Sequence, residues 1–361
     1  MYKEMSDEFV NLIKSVGIEL DSKKRSGTFL QEDQIVKTFS SFFEGVEVLS
    51  IREALKKYEW LEDYMWKAVK VQDEYTAEVS EDFNGYFIRS LPNAKVEIPV
   101  EACLYLRSIK KQKVHNIIIA EENSELNIIS GCVSHPTATG MHIGVTEYFV
   151  KKNAKLTFTM IHRWERGIEV RPRSGAIIDE NGTFISNYIL MSPVKLVQMF
   201  PTAYLNGKNS KASFNSIVVA MDNSVIDSGT RAVLKGSGSS AEIISRSISK
   251  GGKIIARGHI IGDAPKVKGH LECRGLILNS GVIHAIPELE ARYPNVELSH
   301  EAAIGKIADE EIFYLMSRGL TRDEAISTIV RGFLELEIRG LPDVLKREID
   351  KAIQMVEKDL F

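Results

Sequence analysis

The stretch from Gly85 to Lys306 sets the tightest limit on what this chain can fold into. It is a series of short β-branched runs, among them HNIIIAEENSELNIISG, VKKNAKLTFTMIHRW, ASFNSIVVAMDNS, AEIISRSISKGG and KIIARGHIIGD, punctuated by Gly, Asn, Asp and Ser. Each run carries a few alternating apolar positions, the mark of a strand with one buried face, and the starts recur roughly every 11 to 17 residues, as in an all-β array. A sandwich and a solenoid both satisfy that rhythm. Over roughly 200 residues no helical segment separates the strands, which argues against alternating β and α units. The repeated strand, turn, strand pattern suits stacked coils in which each rung buries its face on the next. The predicted core is a parallel β-helix over residues 85–306.

The flanks read differently. Residues 1–84 are predicted to be helical: Phe9, Leu12 and Ile13 repeat at helix spacing, as do Ile51, Ala54, Leu55, Tyr58 and Leu61, with Ser6 and Ser50 at N-cap positions. Across residues 307–361 the helical period returns. Ile312, Phe313, Leu315 and Met316 form an apolar face that ends at Arg318-Gly319, and Thr321 to Glu324 reads as a capping box. The next helix aligns Ala325, Ile326, Ile329, Phe333 and Leu336, and a last one follows Pro342 with Leu345, Ile349, Ile353 and Val356 on one side. This helical end either caps the solenoid or docks a partner.

Composition narrows the function by exclusion. A net charge of −3 over 361 residues leaves no basic footprint for nucleic acid or an anionic membrane surface. No apolar run approaches the ~20 residues of a membrane helix, and the first 20 residues lack the basic start and apolar centre of a signal peptide. Three scattered cysteines, Cys103, Cys132 and Cys273, make neither a disulfide framework nor a C-x-x-C half-site, which predicts a soluble protein of a reducing cytoplasm. No phosphate-binding glycine loop is present, so ATP chemistry would have to belong to a partner.

The chemistry concentrates between His270 and Leu320. Cys273, His300 and Glu301 are soft, borderline and hard metal donors. A cluster needs about four protein ligands. One chain supplies too few, whereas two chains related by a two-fold axis supply a double set. The plain alternative for each cysteine is a small buried hydrophobe. His270, three positions before Cys273, falls on the opposite face of the same strand, where it would support the site from behind.

The string SHEAAIGKIADEEIFYLMSRGLTRDEAISTIVRGFLELEI resembles the C-terminal signature of the SufB and SufD family of iron-sulfur cluster assembly proteins. GYFIRSLPNAKVEIP, ELNIISGCVSHP, MIHRW, SRSISKGGKIIARGHIIG and HLECRGLIL follow the family's order upstream, so the likeness spans about Gly85 to Leu341. It implies a right-handed β-helix flanked by helical regions and paired with a second subunit, either another copy or a SufB/SufD-type paralogue. It also implies C-terminal helices that dock a SufC-type ABC ATPase, a cysteine desulfurase system as sulfur donor, and apo-proteins as acceptors. By this resemblance the chain is a scaffold rather than an enzyme, its cofactor a transient iron-sulfur cluster. Cys273 matches the cluster cysteine of SufB-type subunits, Glu301 their acidic residue and His300 the neighbouring histidine. Cys132 matches the cysteine at which sulfur arrives, and His162 and Trp164 fall in the stretch associated with a sulfur path through the β-helix. Cys273 together with Glu301 tilts the reading toward SufB, with a SufD-like structural subunit that holds no cluster as the alternative. The family's iron-reduction step also admits reduced flavin as an electron source, for which the sequence carries no motif.

Overall fold

The computed structural model describes residues 6–19, 21–278 and 280–334. Its centre is a parallel β-helix of about eight turns. Each coil contributes one strand to the first of two facing sheets and one or two to the second. In the first sheet the strands Lys95–Leu106, Glu125–Ser134, Lys155–Arg163, Thr183–Leu190, Lys211–Ala220, Ser240–Lys250, Lys268–Leu278 and Glu297–Lys306 stack in parallel, first residue over first residue. Those starts lie 28 to 30 residues apart, so the 11-to-17-residue rhythm of the sequence is half a coil.

One corner of the coil explains the period. Asn93, Asn123, Asn153, Asn181 and Asn209 all have φ between 55° and 63°, a left-handed conformation that asparagine tolerates better than most residues. Their side chains form a ladder: each amide nitrogen from Asn123 onward donates to the Oδ1 of the asparagine one coil below, at 3.1, 2.9, 3.0 and 3.4 Å. The corner then passes to Gly238, φ 73°, where an added Cβ would stand 2.7 Å from Asn209 Oδ1.

The lumen is largely apolar, with Phe29, Tyr86, Leu104, Ile118, Cys132, Phe158, Trp164, Leu190, Val218, Leu271 and Cys273 in one continuous cluster. The outer face of the first sheet is also apolar, and both ends of the chain cover it. Helix α1 (Asp7–Lys14) and the turn after it lay Ile13, Val16 and Ile18 over Cys103, Ile129 and Ile161. Further along, Val330 and Leu334 of the C-terminal helix Arg322–Leu334 join the cluster that holds Ile217, Ile248 and Leu276.

Residues 1–84 are not purely helical, which corrects the sequence reading. Helices α1, α2 (Ile51–Lys57) and α3 (Glu74–Ser80) are present, with Ser6 and Ser50 capping the first two as expected. Between α1 and α2, however, lie the strands Gly27–Glu32, Ile35–Ser41 and Val46–Ser50. The first of them pairs in parallel with Lys95–Leu106 and places Phe29 in the lumen. The other two close the sheets with antiparallel pairings, which blunts an edge that parallel coils would leave open.

The segment between α2 and α3 straps the outer face of the second sheet, and one carboxylate anchors it. Glu147, fully buried on the strand Gly140–Val150, accepts the backbone N–H groups of Trp66 at 2.6 Å, Ala68 at 2.6 Å and Val69 at 3.1 Å, and pairs with His115 Nε2 at 2.8 Å. Gly175 lies under the strap, where an added Cβ would come 2.1 Å from the Ala68 carbonyl oxygen.

At the other end, α4 (Asp309–Ser317) stops at Arg318 and Gly319, φ 97°, and α5 (Arg322–Leu334) opens with reciprocal bonds between Thr321 and Glu324, as the capping box predicted. Leu336 and the helix expected after Pro342, with Leu345, Ile349, Ile353 and Val356, lie outside the described residues. Among the described residues no helix is long and apolar enough to cross a membrane.

Candidate metal and sulfur site

Cys273 sits on the last strand but one of the first sheet, level with Ser245 on the strand below and Ala302 on the terminal strand. Its side chain points into the lumen and is 3% exposed. Burial pushes the thiol above its ordinary range, and neighbouring Glu272 adds to the effect. Because Ala302 is level with Cys273, the alternation of a strand puts His300 on the same side of the sheet and Glu301 on the other. His300 stands level with Leu271 on the exposed terminal strand.

The structure therefore groups Glu301 with different partners. It is level with Glu272 on the outer face, and the donor atoms of His270, Glu272 and Glu301 all lie within 4.8 Å of one another. Two arginines brace this group. Arg274 Nε lies 3.0 Å from Glu272 Oε1, its Nη2 lies 3.2 Å from Glu301 Oε1, and Arg246 also binds Glu272. His270 Nδ1 is 2.8 Å from Ser299 Oγ.

Cys132 lies at the other end of the lumen, level with Leu104 and His162, and fully buried. Burial pushes its thiol up to about 12, with Ser130 drawing it the other way. His162 Nδ1 is 3.1 Å from the Tyr188 hydroxyl, and its ring meets Trp164 edge-on at 5.3 Å. Desolvation, with some repulsion from His142, holds the His162 imidazole well below its usual range, so it is neutral. His162 thus stands between Cys132, level with it on the neighbouring strand, and Trp164, against its ring. Cys103 faces outward under α1, in agreement with a core role.

A row of lumen residues connects the two cysteines. Ser130, two positions before Cys132, is followed on successive strands by Met160, Tyr188, Ser216, Ser245 and Cys273. Five strand spacings make this row about 24 Å long. Two adjoining cavities of about 40 Å³ each lie along it, one lined by Met160 and Tyr188, the next by Tyr188, Ser216 and Ser245. Sequence reasoning missed Tyr188, Ser216, Ser245 and Glu272, because they share no local motif with the cysteines. Their signal is the coil period, since 188, 216, 245 and 273 are spaced by 28 or 29 residues.

This is the arrangement of a thiol-bearing β-helix with metal donors at one end, and comparison with known proteins decides its family. Residues 106–333 match the SufBD core domain of the SUF system for FeS cluster assembly. The chain belongs to the SufBD family. An iron-sulfur cluster assembly SufBD family protein of Archaeoglobus fulgidus is 69% identical over the full length of both chains. One from Methanothermobacter thermautotrophicus strain Winter is 47% identical over 99% of this chain and 90% of its own. Another from Pyrococcus horikoshii is 32% identical over 98% and 81%. Membership of the SufBD family assigns this chain to iron-sulfur cluster assembly and agrees with the β-helix described above.

Proposed function

We propose that the chain is a SufB-like scaffold that holds a nascent iron-sulfur cluster between two copies of itself, or between itself and a SufB/SufD-type paralogue. The observation that carries this reading is the position of Cys273, in the lumen directly beneath the terminal strand, at the far end of a row that begins beside Cys132. Among the described residues the coil ends there with unpaired strand edges, and Val282, Leu289, Tyr293 and Ile304 are exposed around it. A second copy laid across this end would cover that apolar surface and bring a second Cys273 and His300 to the same place, with Glu301 on the outer face of the same strand. Thiolate with nitrogen donors holds iron less firmly than four thiolates, which suits a protein that must hand its cluster on.

Sulfur enters this scheme at Cys132, delivered as a persulfide by a cysteine desulfurase system. The Cys132 thiolate attacks the outer sulfur and the donor leaves as a thiol; an external dithiol then cleaves the Cys132 persulfide and leaves as its own disulfide, and the hydrogen sulfide released passes along the lumen past His162, Trp164 and Tyr188. The neutral lumen favours protonated sulfur species over anions. The SufC-type ATPase would dock on α4, where Phe313, Tyr314 and Met316 stand exposed. Its closure on ATP would pull α5, whose Val330 and Leu334 belong to the outer cluster that also holds Leu276 of Cys273's own strand. The SufD-like reading has one observation in its favour, the burial of both Cys132 and Cys273 in the chain by itself.

Anaerobic reconstitution with ferrous iron and sulfide separates the two readings. A visible chromophore in the wild type that is lost in Cys273→Ala supports the scaffold. No chromophore in either, with iron bound once a paralogue is added, moves the chain to the SufD-like role.

A further inference from the structure

Glu272 and Glu301 already share a cation. The Arg274 guanidinium bridges the two carboxylates, 3.0 Å from one and 3.2 Å from the other, in front of a histidine whose donor atom lies within 4.8 Å of both. We propose that His270, Glu272 and Glu301 form a loading site for one ferrous ion on the outer face of the last two rungs, with Arg274 as the displaceable occupant that keeps it closed. Only the choice of iron rests on the scaffold reading; the site itself follows from the three donors.

The donor set fits that ion. Two carboxylates and an imidazole are hard and borderline ligands, suited to ferrous or manganous ions, and the thiol of Cys273 faces the other side of the sheet. Register fixes the backbone, because Glu272 and Glu301 are level on adjacent strands and His270 is level with Ser299. The Ser299 hydroxyl on His270 Nδ1 orients the ring and leaves Nε2 for a metal, the usual way a ligating histidine is held. An octahedral ion with bonds of about 2.1 Å wants neighbouring donors about 3 Å apart. The side chains must therefore close by roughly 1 to 2 Å, within reach of rotamer changes in exposed side chains.

The energetics of opening are favourable. The Arg274 and Glu301 side chains are 43% and 57% exposed, and ion pairs so placed contribute little to stability. A divalent ion that displaces the guanidinium also breaks its bond to Glu272, 13% exposed, and replaces that positive charge with its own. Arg246, bound to Glu272 with both side chains nearly buried, stays in place and orients that carboxylate. The ion then rests one strand thickness from the lumen position of Cys273, on the terminal pair of strands that the cluster would use.

Manganous ion is a suitable probe because it tolerates air and its free form is read directly by electron paramagnetic resonance. The metal-free full chain should bind one Mn(II) per chain. Arg274→Gln should bind it about tenfold more tightly, and Glu301→Gln and His270→Gln at least about tenfold more weakly. Cys273→Ala should bind as the wild type does. A tighter complex from Arg274→Gln cannot arise from misfolding, so the gain is the decisive arm. An Arg274→Gln chain that binds no more tightly than wild type, a Glu301→Gln chain that binds equally well, or loss of Mn(II) in Cys273→Ala overturns the proposal. If this pattern holds while reconstitution gives no cluster, the ion site stands and the scaffold reading fails.

Discussion

Replacing Glu147 by alanine is expected to cost about 3 to 5 kcal/mol of stability, the range for removing one partner of a buried, charged hydrogen-bond network. The carboxylate is the common acceptor for three backbone N–H groups within four residues of the strap and is the partner of His115 Nε2. Alanine strands three buried N–H groups and an imidazole together, at a site where the left-handed Trp66, φ 62°, depends on that anchorage. Glutamine retains one acceptor oxygen and should recover roughly half of the loss. Equilibrium denaturation gives the size of the effect, and amide exchange shows where it falls. Exchange should accelerate first in the segment around Trp66 to Val69, before the asparagine corner. A loss below about 1 kcal/mol for Glu147→Ala would mean that the strap is held by its apolar contacts with Phe87, Ile117 and Phe149 instead.

The second large effect concerns the thiols. In the folded chain at pH 7.5, Cys132 should react with a disulfide reagent about a thousandfold more slowly than an ordinary thiol, since burial raises it from 9.0 to about 12 and only the thiolate reacts. The sign follows from the acid: as pH rises toward that value the thiolate fraction grows tenfold per unit, so labelling should climb with pH over a range where an exposed thiol has levelled off. Cys103 and Cys273 shift in the same direction, also by desolvation. Guanidinium should expose all three at once. Adding the ATPase partner and ATP should open Cys273 selectively, if α5 acts on its strand as proposed. Labelling of Cys273 that ignores ATP hydrolysis would remove that coupling, and rapid labelling of Cys132 in the isolated chain would remove the closed lumen.

Much of this architecture was legible in the residues, for identifiable reasons. Alternation in runs such as KIIARGHIIG reports a strand buried on one face, and the lack of helix between runs reports stacked coils. The exact repeat is inconspicuous because it is carried by one residue per coil. Asn93, Asn123, Asn153, Asn181 and Asn209 are spaced by 30, 30, 28 and 28, and nothing around them repeats with equal strictness. With that period in hand, Glu272 falls level with Glu301 and Cys273 with Ala302, and strand alternation alone would have separated Cys273 from Glu301. The helical expectation for residues 1–84 extends the clear period of Phe9 to Ile13 and of Ile51 to Leu61 across Gly27 to Ser50, where the pattern is that of paired strands. The resemblance to SufB and SufD supplied Cys132, His162 and Trp164 as a group. Their common feature, a shared position in the lumen on neighbouring strands, belongs to the coil and not to any motif.

The central claim is that two chains share a cluster through Cys273. Native mass spectrometry of the anaerobically reconstituted protein tests it in one measurement, because it reads stoichiometry and subunit number together. The account predicts a dimer carrying a whole number of iron and sulfide, with neither the cluster mass nor its dimer in Cys273→Ala. A cluster on a monomer, or one that survives loss of Cys273, would contradict it.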